Sequence, residues 1–125
     1  NLAVLMALVG TPWWPDLTDT ILLLEDVGER PHRLDRTLTQ LLHITDGLRG
    51  VRGVALGYFN DSDDVAKGHL ALDTVREVLR GLDIPVVMNL PVGHVAPNFA
   101  LGLGTRVALH ADAATLTVLE ETVQD

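Results

Sequence analysis

This sequence predicts an α/β fold built on a parallel sheet, and three observations carry that prediction. Continuous apolar runs of strand length recur along the chain, helical repeats of leucine and valine separate them, and glycine or proline marks most of the switches. Strands that alternate with helices are joined by crossovers, so they run parallel and connect with a right hand.

Asn1 is suited to cap a short helix over Leu2 to Val9, and Gly10 can end it in the left-handed region. Thr11-Pro-Trp-Trp-Pro-Asp16 then reads as a rigid loop. Thr20 to Glu25 is an unbroken apolar run, the pattern of a strand covered on both faces. Past a turn at Gly28, Pro31 fits a first helical position, and Leu34, Leu38, Leu41 and Leu42 recur at helical spacing. That helix is expected to reach about Asp46, with Gly47 as its stop. Val51 to Phe59 is a second strand, Asp64 to Gly81 a helix, and Ile84 to Met88 a third strand. The pattern then changes: Arg106 to His110 and Thr115 to Leu119 read as short strands joined around Ala111-Asp112-Ala113-Ala114, a terminal hairpin.

Size and composition narrow the possible functions. A chain of 125 residues is enough for one domain with its own core. The absence of cysteine excludes disulfides and thiolate chemistry. With 17 acidic residues against 9 lysines and arginines, the formal charge of −8 argues against a nucleic-acid partner, whose affinity rests on cation–phosphate contacts. No membrane partner is expected either, because no apolar run approaches the ~20 residues that cross a bilayer. Leu2 to Val9 lacks a preceding basic segment and reads as a helix, not a signal peptide. The chain opens at Asn1 without an initiator methionine, so a piece of a longer protein is expected.

Glu25 and His94 are the candidate site residues. Both fall at or beyond the carboxyl ends of predicted parallel strands, the edge on which such sheets build their sites. A carboxylate and an imidazole opening on one crevice suit acid–base chemistry. The competing reading of Glu25 is a turn cap or an ion pair with Arg30 or Arg33. His94 lies in Pro91-Val-Gly-His-Val-Ala-Pro-Asn98, where Gly93 permits an unusual backbone path and Pro91, Pro97 and Asn98 stiffen the loop. No nucleophile accompanies them. Ser62 is the single serine, and the carboxylates of Asn60-Asp-Ser-Asp-Asp64 disfavour an alkoxide there, which places the nucleophile on another piece of polypeptide.

Other motifs carry less. His32, His43, His69 and His110 lack the spacing of a zinc motif. Asp61, Asp63 and Asp64 suggest calcium, but Ala66 stands where the calcium loop needs glycine and no glutamate closes it, so a solvated turn and helix cap is expected. Gly102-Leu-Gly104 lacks the third glycine of a dinucleotide fingerprint and reads as a turn. No metal or cofactor is expected. Trp13 and Trp14 fit either a peptide or partner surface, or packing beneath their loop.

Several ordered motifs together resemble a known family. Ile21-Leu-Leu-Leu-Glu-Asp-Val-Gly-Glu29, then Arg33-Leu-Asp-Arg36 and Leu38-Thr-Gln-Leu41, and later Gly93-His94 with Pro97-Asn98, resemble the carboxy-terminal domain of LD-carboxypeptidases, the muramoyl-tetrapeptide carboxypeptidases. Asn1-Leu-Ala-Val-Leu through Gly10-Thr-Pro12 is similar to the entry into that domain, so the likeness spans nearly the whole chain. It implies a three-layer β/β/α swivelling domain with a parallel central sheet. It also implies a serine peptidase with a Ser-His-Glu triad whose serine stands on an amino-terminal domain. On that likeness His94 is the general base and Glu25 its orienting carboxylate, with Glu29 as the alternative. The implied reaction releases terminal D-alanine from murein tetrapeptides in cytoplasmic cell-wall recycling, by a homodimer without cofactor. Two positions depart from the pattern: His32 stands where an aromatic is usual, and Gly102 where proline is common. Two other readings are a microcin C-type self-immunity peptidase of the same family and a non-catalytic ligand-binding or assembly domain.

Overall fold

A computed structural model describes residues 1–44 and 47–121. Three parallel strands, β1 (Ile21–Val27), β2 (Gly53–Asn60) and β3 (Val86–Val87), form a sheet with β2 in the centre. The helices are α1 (Leu2–Met6), α2 (Pro31–His43) and α3 (Ala71–Leu79), and an antiparallel hairpin follows as β4 (Val107–His110) and β5 (Thr115–Val118).

Side chains alternate across a strand, and that alternation builds the layers. Leu22 and Leu24 of β1 and Val54 and Leu56 of β2 form one buried cluster with Leu34, Leu38 and Leu41 of α2 and Ala71, Val75 and Leu79 of α3. The intervening residues Ile21, Leu23 and Ala55 line a small cavity together with Val107 and Leu116 of the hairpin. Hairpin, sheet and helices are therefore three layers, the β/β/α arrangement expected. The first strand is apolar at successive positions because both of its faces are covered.

The elements differ from their expected limits for local reasons. α1 stops at Met6, and turns carry the chain to Gly10, whose φ is +79°. The segment expected to be helical from Asp64 splits into a 3₁₀ turn over Val65–Lys67 and α3 from Ala71. Gly68 ends the turn in the left-handed region, and paired backbone hydrogen bonds between Asp64 and His69 close it. Asp63 then accepts from Ala71 N at 2.7 Å, serving the helix start from outside the helix. β3 is short because Asn89 leaves the extended region at φ +62°. α2 ends at His43, and its expected limit, Asp46, lies outside the described residues. No helix among the described residues is long and apolar enough to cross a membrane.

The core makes a direct prediction. Leu38 is fully buried between α2 and its neighbours, so Leu38→Ala should lower stability to urea by about 2–5 kcal/mol. Val65→Ala, at a position 79% exposed, should stay within about 0.5 kcal/mol of the parent chain.

Candidate active site

Glu25 lies near the carboxyl end of β1 with only 8% of its surface exposed. His94 reaches the same place from the other side of the sheet. Beyond β3 the chain stays alongside β2: Leu90 N donates to Leu56 O at 2.9 Å, and Tyr58 N donates to Val92 O at 3.4 Å. Gly93 then turns at φ +105°, its amide donating to Asn98 Oδ1 at 3.1 Å, while Phe99 N donates to Pro91 O and closes the loop. The outcome is a hydrogen bond of 2.8 Å between His94 Nδ1 and Glu25 Oε2.

The two partners sit in different environments. The Glu25 side chain is 11% exposed and that of His94 is 53% exposed. A carboxylate only accepts, so Nδ1 carries the proton and the neutral ring keeps its lone pair at Nε2. Burial is the largest influence on the Glu25 carboxyl and acts to raise its pKa. The hydrogen bond to His94 acts the other way, and the carboxyl lies below its ordinary value. Glu25 is thus an ionised, immobilised acceptor, and the imidazole beside it is oriented and accessible.

Gly93 is indispensable on two counts. Its φ is one that side-chain-bearing residues rarely adopt, and a Cβ there would lie 2.6 Å from Glu25 Oε2. Gly57 of β2 forms the floor on the other side, where an added Cβ would come within 3.0 Å of Glu25 Cβ.

A model of the LD-carboxypeptidase C-terminal domain matches residues 1–109, a span that includes both Glu25 and His94. The chain belongs to that family. A Synechocystis sp. protein named as a carboxypeptidase is 42% identical over 123 residues, covering 95% of this chain and 40% of that protein. Among solved structures, the muramoyltetrapeptide carboxypeptidase of Oxalobacter formigenes superposes with a TM-score of 0.77 at 34% identity, over 93% of this chain and 40% of that one. The microcin C7 self-immunity protein superposes with a TM-score of 0.84 at 25% identity, over 99% of this chain and 37% of that one. This LD-carboxypeptidase domain spans about two fifths of the length of the relatives it matches.

The remaining sequence candidates fall elsewhere in the domain. Glu29, the alternative carboxylate, lies 3.8 Å from Arg33, and Arg30 donates to Asp63 O, so the ion pair considered for Glu25 belongs instead to Glu29. Ser62 is buried and its hydroxyl donates to Asn60 O at 2.9 Å. His32, His43, His69 and His110 are exposed, and among the described residues no group of three His, Cys, Asp or Glu side chains is arranged to hold a metal. Trp14 packs against the core, whereas Trp13 is 77% exposed. Sequence reasoning passed over Asp26, which is 3% exposed and accepts from Asn1 Nδ2, Ala3 N and Val27 N. Its signal was there, a second carboxylate at the end of a buried strand, where an acid needs donors.

The depressed Glu25 pKa predicts how stability responds to pH. A carboxyl whose folded pKa lies below its unfolded value contributes stability that is complete above 4.5 and is lost as pH falls through the folded value. The stability difference between the parent chain and Glu25→Gln should therefore be constant near neutrality and shrink on acidification below that point. Urea titrations across this range that gave a constant difference would contradict the assignment.

Proposed function

We propose that this chain supplies the base half of a Ser-His-Glu hydrolytic site in a serine-type LD-carboxypeptidase, with His94 as general base and Glu25 as its orienting carboxylate. One observation carries the reading: Glu25 engages Nδ1 of an imidazole whose side chain is 53% exposed, leaving Nε2 without a hydrogen bond to Glu25. On this reading the serine comes from a segment outside this chain, consistent with a domain that spans only part of its relatives.

In the proposed reaction, Nε2 of His94 takes the serine proton as the hydroxyl attacks the amide between an L-centre of a diamino acid and terminal D-alanine. It then returns that proton to the leaving amine of D-alanine, and a water repeats the sequence to release the acyl group. Glu25 keeps the ring in the Nδ1–H tautomer and stabilises the imidazolium as it forms. Oxyanion donors would come from the segment that bears the serine. The substrate is proposed to be a murein tetrapeptide, processed in cytoplasmic cell-wall recycling by a homodimer. The likeness to a muramoyltetrapeptide carboxypeptidase supports the substrate class.

Trp13 favours a second reading. An exposed aromatic can stack on a nucleobase, as cleavage of a peptidyl nucleotide in a self-immunity peptidase would use. Parallel assays of D-alanine release and of peptidyl-nucleotide cleavage separate the two substrates.

The purified chain alone should release no D-alanine from a murein tetrapeptide, and release by it would overturn the split-site reading. In a serine-bearing enzyme that includes this chain, Glu25→Gln and His94→Ala should each reduce kcat by about 10³-fold or more with the fold retained. Wild-type turnover in either variant would remove the triad assignment.

A further inference from the structure

The Glu25–His94 bond passes over a strand. β2 lies between β1, which carries Glu25, and the segment beyond β3 that carries His94. Strands two apart in a sheet are separated by ~9.5 Å, and a side chain on the intervening strand would normally fill the space between them. The residue at that place is Gly57.

The register is also irregular here. Leu24 pairs with Leu56 and Asp26 with Phe59, so β1 advances two residues while β2 advances three. Gly57 and Tyr58 together oppose Glu25, as in a bulge, and bulges re-aim side chains where pairing changes.

Gly57 is not required for its backbone angles, since it is absent from the glycines with positive φ. What it supplies is space. An added Cβ would stand 2.5 Å from Val92 O, 3.0 Å from Glu25 Cβ and 3.0 Å from Val92 Cγ2. The first of these atoms is backbone, accepting from the amide of Tyr58 at 3.4 Å, so unlike a side-chain tip it can give way only if the Val92 segment shifts with it. Gly53, earlier on the strand, differs: the closest atom to its added Cβ is the tip of Leu109, a side chain that can rotate away. Ala55, two residues before Gly57, carries a Cβ within the packed sheet.

We propose that Gly57 is a positioning residue: by placing no side chain between the edge strand and the His94 loop, it lets the Glu25 carboxylate cross the central strand and hold the imidazole. Its kinetic consequence rests on the function proposed above, while its structural consequence does not. A side chain at this position wedges the Val92–His94 segment away from β1, and Nδ1 loses its acceptor. The ring then reverts to the mixed tautomers of an unconstrained histidine.

The test is Gly57→Ala in this chain, read through the ring ¹⁵N shifts of His94 by long-range ¹H–¹⁵N correlation at a pH where the ring is neutral. The parent chain should show the Nδ1–H form, and Gly57→Ala should show a mixture dominated by Nε2–H. In the serine-bearing enzyme the same change should lower kcat at least ~10-fold with KM within about twofold. Should Gly57→Ala fail to fold, Glu25→Asp leaves the space above Gly57 open and shortens the reach. It should release Nδ1 in the same way, and retention of the Nδ1–H form by that variant overturns the proposal. A folded Gly57→Ala chain that keeps the Nδ1–H form also overturns it. If instead Glu25→Gln and His94→Ala turn over normally while Gly57→Ala changes the tautomer, the catalytic reading fails and the positioning role stands.

Discussion

A buried carboxylate must find donors, and around Glu25 this requirement organises one end of the molecule. Removing an ionised carboxyl from water is costly unless hydrogen bonds replace the lost hydration. Here the compensation comes from an imidazole carried in by a loop more than sixty residues away in sequence. To deliver it, the chain beyond β3 follows β2, turns at a glycine that tolerates φ +105°, and is closed by Asn98. The site is thus a solution to a burial problem before it is a chemical device, and the same bond that neutralises the cost also orients His94.

Consecutive residues of β1 send their carboxylates to opposite faces of the sheet. Glu25 meets the His94 loop, while Asp26, on the helical side, binds Asn1 and the amide of Ala3 and so ties down the start of α1. The strand alternation that separates Leu22 and Leu24 from Ile21 and Leu23 also separates these two acids. The backbone of β1 therefore joins the start of α1, through Asp26, to the histidine loop, through Glu25.

Much of this architecture was legible in the sequence. The apolar run before Glu25, the leucine spacing after Pro31 and the change of pattern before Arg106 each correspond to an element of the fold. The candidate pair was legible too, because strand ends and a glycine-histidine step mark places where a backbone is bent to present a side chain. Less legible was the segment after Asp61, where helical periodicity ran on through a turn that Gly68 interrupts. Asp26 was missed because its partners, Asn1 and Ala3, become neighbours only once α1 packs on β1.

The sequence by itself determined the alternation of strands and helices and the strand ends from which a carboxylate and His94 emerge, because periodicity and turn chemistry are local properties. Only the tertiary structure decided that Glu25, and not Glu29, engages the imidazole, and that the bond crosses β2 above Gly57. Those outcomes depend on register. The extra residue of β2 opposite Glu25 exists only as a relation between two paired strands, and the space above Gly57 matters only because Val92 and Glu25 close in on it from either side.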